Sequence, residues 1–229
     1  MPMPSALRIA VLASGRGSNL QAILDAIASG DLAAEVVGVF SDRPKAFALE
    51  RARAAELPAK AIEPRKFADR ATFDEHLFRG IDEAGPDLIV CAGYMRLLSE
   101  TVVNQRRGRI INIHPSLLPA FKGLRTHQQA LDTGASEHGA SVHFVTAELD
   151  GGPVIAHATV PVMAGDDADR LAERVLAREH PLLLATLRLF ADGRVTLDDS
   201  HIRLDGIVLA APLRLDSDNR LHPCLLLPH

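Results

Sequence analysis

The sequence has little of the composition on which several protein classes depend. Its two cysteines, Cys91 and Cys224, lie far apart without the spacing of a disulfide framework or zinc ribbon, which favours a reducing compartment. The net charge is −4 with ten histidines counted as neutral, so no basic surface indicates a nucleic-acid partner. No apolar run approaches the ~18 residues of a membrane helix, and the start, M-P-M-P-S-A-L-R, lacks the apolar region of a signal peptide. We therefore expect a cytoplasmic protein without a membrane association.

The composition is that of an ordinary globular protein, with 47% hydrophobic and 24% charged residues. A chain of 229 residues with this composition is long enough for a single domain with a sizeable core.

Up to Pro115, short apolar runs alternate with amphipathic stretches. The pattern predicts strands over 7–13, 35–40, 59–62, 87–92 and 109–113, and helices over 20–30, 44–56, 72–83 and 95–103. This alternation indicates an α/β protein with a parallel sheet and helices on both faces.

The pattern changes after Pro115. Two apolar runs, 141–146 and 154–162, have no helix between them and are joined by the turn L-D-G-G-P, which favours antiparallel pairing. A long helix is expected from about Asp167 to Phe190, with Pro181 inside it. Short strand-like pieces follow from Gly193 onward.

A glycine loop, S-G-R-G-S-N, follows the first predicted strand. Gly15 and Gly17 permit a close backbone approach, and Ser18 and Asn19 start a helix whose N–H groups favour an anion. Leu20 stands where a dinucleotide fingerprint needs its third glycine, and the loop lacks the lysine of a P-loop. The loop therefore favours a phosphate monoester over a dinucleotide or ATP, although a plain strand-to-helix turn explains the glycines equally well.

A second motif, I-N-I-H-P-S-L-L-P, places Asn112 and His114 on one face of a strand that Pro115 ends. The carboxyl ends of strands are where open α/β sheets bind ligands. An amide that donates to a carbonyl oxygen, beside an imidazole that carries a proton, suits the addition of an amine to an acyl carbon. The alternative is a histidine with a structural hydrogen bond.

A third motif, E-L-D-G-G-P, places Asp150 in a turn, where we expect it to be exposed to a neighbouring cleft. A carboxylate near an imidazole favours the protonated ring and orients it, whereas Asp before Gly-Gly is also ordinary turn chemistry. The other histidines show no metal-ligand spacing, so we expect no metal site and treat them as hydrogen-bonded or surface residues: His127, His138, His143, His157 and His180. Glu179, near Pro181, reads on the sequence alone as a solvated helix carboxylate.

Together, these motifs resemble those of the phosphoribosylglycinamide formyltransferases, folate-dependent enzymes of purine synthesis. The resemblance runs from about Leu7 to Gly206 and includes S-G-x-G-S-N-L-Q-A, A-G-Y-M-R-L-L, N-I-H-P-S-L-L-P, S-V-H-F-V and E-L-D-G-G-P-V-I. It implies a Rossmann-like open, mostly parallel sheet with helices on both faces and an antiparallel carboxyl-terminal extension. It also implies one domain over 1–229, with a nucleotide-substrate half at about 7–115, a folate and catalytic half at about 116–206 and a tail at about 207–229.

The resemblance implies a direct transfer of the formyl group of 10-formyltetrahydrofolate, the co-substrate, to the amine of 5-phosphoribosylglycinamide, without a metal. The implied catalytic residues are Asn112, His114 and Asp150. The residues implied for the ribonucleotide are Gly17, Ser18, Asn19 and Glu179. The residues implied for the folate are Arg70, Met95, Arg96, Leu97, Leu98, Asn112, Thr146, Ala147, Glu148, Leu149 and Asp150.

Three places depart from the family pattern. Ala147 stands where an acidic residue is common, Arg125 stands where a small residue or histidine is usual, and the tail beyond about Pro212 differs. The partners implied are small molecules alone, and the chain would be a monomer or a homodimer.

Three alternatives remain open. A 10-formyltetrahydrofolate hydrolase would use the same three residues on water, but we expect it to need an amino-terminal domain for which six residues before Leu7 leave no room. A methionyl-tRNA formyltransferase would need a basic carboxyl-terminal domain. A phosphometabolite sensor without catalysis would not need Asn112, His114 and Asp150.

Overall fold

The computed structural model describes residues 6–223. The chain divides into two compact units. The first unit runs up to Asn112 and includes Val145–Ala147, and the second contains Ile113–Phe144 and everything from Glu148 onward. The single domain and its internal boundaries, predicted from the sequence, stay a prediction.

The first unit is built on parallel strands whose order is β3-β2-β1-β4-β5. The strands are β1 (Leu7–Leu12), β2 (Ala34–Ser41), β3 (Ala59–Ala61), β4 (Leu88–Cys91) and β5 (Ile110–His114), of which the last two residues belong to the second unit. The register pairs Leu12 with Cys91 and Cys91 with Asn112, so the carboxyl ends of the central strands lie at one edge. The short apolar runs are buried, as strands covered on both faces require.

The helices of this unit follow the strands along the chain: α1 (Ser18–Ala28), α2 (Phe47–Ala54), α3 (Arg70–Glu83) and α4 (Glu100–Gln105), with a short 3₁₀ turn at Pro64–Lys66. Helix α3 begins in a capping box, in which the Asp69 carboxylate accepts the Thr72 N–H at 2.8 Å. Its apolar face, with Phe73, Leu77 and Phe78, belongs to the buried core of the unit.

The second unit contains an antiparallel pair, β6 (Glu137–Phe144) and β7 (Val154–Pro161). Strand β11 (Leu213–Leu215) adds in parallel to β7, and β12 (Leu221–His222) adds to β11 in the antiparallel sense. A separate antiparallel sheet contains β8 (Val195–Asp198), β9 (His201–Leu204) and β10 (Ile207–Val208). The helices are α5 (Thr126–Asp132) and α6 (Ala168–Ala191), and α6 packs on β6 and β7.

The structure confirms the fold class, since a mostly parallel sheet with helices is followed by antiparallel strands at the carboxyl end. The antiparallel pair and the long helix are also confirmed, and α6 continues through Pro181 from its cap at Asp167. The helix predicted over 95–103 is wrong at its start, because α4 begins only at Glu100. The predicted tail from Cys224 onward lies outside the described residues. Within 6–223, no helix is both long and apolar enough to span a bilayer.

Candidate active site

The glycine loop joins β1 to α1 in the first unit. Gly17 is the cap of α1 at φ +70°, and a Cβ there would lie 2.8 Å from the Cα of Ala48. The close approach of α2 to the loop is therefore a structural reason for glycine at position 17, independent of any ligand. Ser18 and Asn19 open the helix, where the N–H groups of the first turn are not used within the helix and the dipole favours an anion.

The predicted folate residues of the first unit lie on several segments. Met95, Arg96, Leu97 and Leu98 form an irregular segment between β4 and α4, with Met95 and Leu97 exposed and Leu98 buried. Arg70 is exposed at the start of α3, Thr146 is half-buried and Ala147 is exposed. The apolar side chains therefore face solvent at one edge of this unit, where a ring could cover them.

Strand β5 carries both polar residues of the second motif. Asn112 is half-buried, its register partner is Cys91, and His114 is the last residue of the strand. His114 is 6% exposed, so the imidazole is held by protein atoms rather than by solvent. The strand ends as the sequence predicts, at Pro115, which has no N–H for a ladder.

The second unit brings His114 and Asp150 together. The Nδ1 atom of His114 lies 3.5 Å from Oδ2 of Asp150, and its Nε2 lies 3.1 Å from the carbonyl oxygen of Phe121. Both ring nitrogens therefore face acceptors, an arrangement that only the doubly protonated imidazole satisfies in full. Because its partners are oriented by the backbone, the ring has a fixed position.

The sequence led us to expect the Asp150 carboxylate to be exposed to a cleft, but the structure buries it. Its side chain is 9% exposed, and Oδ2 accepts the N–H of Gly123 at 2.9 Å. Asp150 adopts φ +46° in the turn, and a Cβ at Gly151 would lie 2.4 Å from the Glu148 side chain. The turn after β6 thus folds the carboxylate inward, against the segment that contains Gly123.

A second histidine beside Asp150 was missed by the sequence analysis. His143, on β6, lies with Nε2 3.7 Å from Oδ1 of Asp150, and its Nδ1 is 2.9 Å from the carbonyl oxygen of Phe144. Burial lowers the pKa of His143 to about 4, so this ring is neutral near pH 7. No sequence signal pointed to Asp150 as the neighbour of His143.

Two further histidines form a pair in this unit. The Nε2 atom of His138 lies 3.1 Å from Nδ1 of His127, and the His138 ring contacts that of Phe121 with centroids 5.7 Å apart. Burial lowers the pKa of His138 to about 4 and also lowers the pKa of His127. Near pH 7 the pair adds no charge to the surroundings of His114.

The remaining predicted residues of the second unit lie on its surface or half-buried. Glu148 is exposed and accepts a hydrogen bond from Nζ of Lys122 at 2.7 Å, and Leu149 is 45% exposed. Glu179 is half-buried on α6. Arg125, one of the departures, is exposed at the start of α5 with φ +55°. In the part of the chain that the structure describes, no three histidine, cysteine or acidic side chains form a group that could hold a metal.

Comparisons with known proteins show the family to which the chain is similar. The family model described as Formyl transferase matches residues 7–187. The phosphoribosylglycinamide formyltransferase of Escherichia coli strain K12 is 48% identical over 200 residues, which are 87% of this chain and 94% of that protein. The structure of phosphoribosylglycinamide formyltransferase from Coxiella burnetii, in complex with CHES, superposes with a TM-score of 0.86 at 45% identity, over 90% of this chain and 96% of that one.

A formyltetrahydrofolate deformylase of Pseudomonas syringae pv. tomato is also similar in structure. Its TM-score is 0.80 at 26% identity, over 87% of this chain and 66% of that one. The similarity to the formyltransferases is therefore higher in identity and extends over more of the related chain. The chain belongs to the formyl transferase family.

Proposed function

We propose that this protein transfers the formyl group of 10-formyltetrahydrofolate to the amine of 5-phosphoribosylglycinamide, in de novo purine biosynthesis. The observation that carries the proposal is the buried His114–Asp150 pair, in which both nitrogens of the imidazole face oxygen acceptors. An imidazole fixed at the end of a central strand stabilises negative charge on an acyl oxygen when both of its nitrogens carry protons. The names of the relatives give phosphoribosylglycinamide and the formyl group, and the family resemblance gives the folate donor.

The reaction joins the amine nitrogen of the ribonucleotide to the formyl carbon and breaks the bond from that carbon to the folate nitrogen. Negative charge develops on the formyl oxygen between these steps. The Asn112 side-chain amide donates a hydrogen bond to that oxygen, and protonated His114 places a positive charge beside it. The amine loses a proton and the folate nitrogen gains one, so atoms and charge balance without a covalent enzyme intermediate.

Asp150 orients His114 and orders the water that relays the proton. Its carboxylate is itself fixed by the Gly123 N–H at 2.9 Å, so the imidazole meets a rigid acceptor. His143 is neutral near pH 7, so its ring adds no positive charge beside Asp150.

The family resemblance implies which of the predicted residues bind each substrate. Gly17, Ser18 and Asn19 hold the phosphate and ribose end of the ribonucleotide, with Glu179 at its far end. The exposed Met95 and Leu97 and the backbone of the segment that they occupy bind the flat pteridine ring. Arg70 lies near the carboxylate tail of the folate, and residues 146–150 close over the ring, with Ala147 contributing no acidic side chain.

We also infer small-molecule substrates alone, the cytoplasm as the location, and a monomer or homodimer as the working state. A hydrolase is the alternative function, since the deformylase of Pseudomonas syringae has a similar fold. The experiment is a turnover assay with formyl-folate, run with and without the ribonucleotide. The proposal predicts that tetrahydrofolate forms only when the ribonucleotide is present, whereas formate released without it would establish a hydrolase.

A further inference from the structure

The segment that joins β4 to α4 is held by side chains from elsewhere in the first unit. This folate segment, Gly93–Ser99, has no regular secondary structure, and its residue Gly93 has φ +75°. Tyr94 and Leu98 anchor the segment in the apolar core, whereas Met95 and Leu97 between them are exposed. The shape of the exposed part therefore depends on the polar contacts at the two ends of the segment.

The amino-terminal end of the folate segment is attached to Ser14, the first residue of the glycine loop. The Ser14 N–H donates to the carbonyl oxygen of Gly93 at 3.0 Å, and the Met95 N–H donates to Ser14 Oγ at 3.0 Å. The Ser14 hydroxyl in turn donates to Oδ1 of Asp42 at 2.6 Å. Ser14 is 2% exposed and Asp42 8% exposed, so the carboxylate fixes the direction of the hydroxyl away from solvent.

The carboxyl-terminal end of the segment is attached to Asp74 on α3. The Ser99 N–H donates to Oδ2 of Asp74 at 2.6 Å, and Asp74 is completely buried. Between the two ends, the Arg96 guanidinium lies 5.3 Å from the ring centroid of Phe73, the neighbour of Asp74. Helix α3 is thus the platform on which the segment rests.

Asp74 accepts one backbone N–H at the cost of burying a carboxylate. Burial raises the pKa of its carboxyl, and the hydrogen bond from Ser99 and the charges of Arg70 and Arg96 offset that rise only in part. Its Oδ1 is buried without a hydrogen-bond partner, as is the hydroxyl of Tyr94 in the segment. A buried carboxylate that is only partly compensated lowers stability, so stability alone does not explain this residue.

We propose that Asp74 and the Ser14–Asp42 pair are positioning residues, which hold the two ends of the folate segment in the shape that binds the formyl-folate. The inference rests on the proposed function, because it assigns the segment to the folate. Asp74 acts through the Ser99 backbone and touches neither substrate. Ser14 is the first residue of the glycine loop and binds the amino-terminal end of the folate segment. It therefore connects that segment to the residues assigned to the ribonucleotide.

The test compares Asp74→Ala with Asp74→Asn, which keeps one carbonyl oxygen as an acceptor, and with Asp82→Ala on the same helix. Asp82 is exposed, and its carboxylate binds Arg106 rather than the segment. We expect Asp74→Ala to raise the KM for formyl-folate about tenfold, the effect of losing a hydrogen bond to a charged acceptor, with the KM for the ribonucleotide changed less than about twofold. Asp74→Asn should recover most of the loss, and Asp82→Ala should leave both KM values unchanged.

Amide hydrogen exchange in the ligand-free protein is the second measurement. The Ser99 amide should exchange faster in Asp74→Ala and at the parent rate in Asp82→Ala. Equal changes in both KM values, an unchanged folate KM or an unchanged Ser99 amide would overturn the proposal. If Asp74→Ala does not fold, Ser14→Ala decides, with faster exchange at Met95 and a larger rise in the folate KM than in the ribonucleotide KM. A parent protein without turnover would contradict the proposed function, whereas the exchange rates would still decide the positioning.

Discussion

Asp150 is the residue on which the site geometry converges. Its two oxygens face His114 and His143 at 3.5 and 3.7 Å, and the Gly123 N–H fixes Oδ2. A carboxylate in this position orients His114 and has no need to touch a substrate. The substitution of Asp150 by asparagine therefore separates charge from shape.

We predict that Asp150→Asn lowers kcat by about 10²–10³, the usual cost of weakening an oxyanion-stabilising group, with both KM values within about threefold of the parent. The asparagine oxygen still accepts the Gly123 N–H, so the turn stays in place. Steady-state kinetics check this, and the His114→Ala variant and the double variant complete the cycle. Because the two residues act together, the double variant should lose less than the product of the single losses. Strictly multiplicative losses would contradict a coupled pair.

The sequence located His114 and Asp150 but not all of their surroundings. Asn112 and His114 could be placed at a strand end because Pro115 has no N–H for the ladder. The inward direction of Asp150 could not be predicted, since it depends on φ +46° at that residue and on the Gly123 N–H, which is 27 residues away in the chain. His143 was missed for the same reason, because alternation gives a face and not a partner.

At the level of elements, the start of α1 depends on Gly17. We predict that Gly17→Ala lowers the free energy of unfolding by about 2–3 kcal/mol, because it combines a left-handed backbone with a Cβ against Ala48. Gly134→Ala is the matched control, since Gly134 has φ +66° and nothing within 4 Å of the added Cβ. We expect Gly134→Ala to lower the free energy of unfolding by about 1 kcal/mol. Urea unfolding measures both, and equal losses would contradict the role of the contact with α2.

The folate segment gives a prediction about ligand contact. A folate analogue should slow the exchange of the Met95–Leu98 amides, because the pteridine ring binds their backbone groups, while the amides of Gly15–Asn19 change little. A ribose phosphate ligand should give the opposite pattern. Hydrogen exchange with mass spectrometry distinguishes the two. Protection confined to Gly15–Asn19 by the folate analogue would mean that the two substrates are assigned to the wrong segments.

The helix predicted over 95–103 shows what sequence periodicity cannot supply. Leu97, Leu98, Val102 and Val103 have a spacing that favours a helix, yet the helix begins only at Glu100. The N–H groups of Met95 and Ser99 donate instead to the side chains of Ser14 and Asp74, which are 81 and 25 residues away. Long-range contacts of this kind override local preference. Helices that carry their own signals, such as α6 with its cap at Asp167, were predicted closely.

For the whole molecule, the fold class follows from the alternation of strands and helices before Pro115 and from the end of that alternation after Pro115.

Buried histidines make the free energy of unfolding depend on pH. Burial lowers the pKa of His138 to about 4 and that of His143 to about 4, below their value in the unfolded chain. The unfolded state therefore binds more protons between about pH 4 and 6.5, so stability rises with pH through this range and falls as the solution is made acidic.

We predict that His138→Gln reduces the proton uptake on unfolding by about one proton between about pH 4 and 6.5. The free energy of unfolding, measured with urea at several pH values, gives the uptake as its slope. His201→Gln, at an exposed histidine of β9, is the control, since it makes the same change of side chain at the surface. A slope in His138→Gln equal to that of the parent would show that His138 titrates normally in the folded state.

The central claim is a direct transfer of the formyl group to the amine, and the oxygen of that group reports on it. In a single turnover with formyl-folate labelled with oxygen-18 on the formyl group, attack by the amine leaves the labelled oxygen on the same carbon throughout. The account predicts that the formylated ribonucleotide retains the label and that no labelled formate appears. Labelled formate, or a product whose formyl oxygen comes from water, would contradict it.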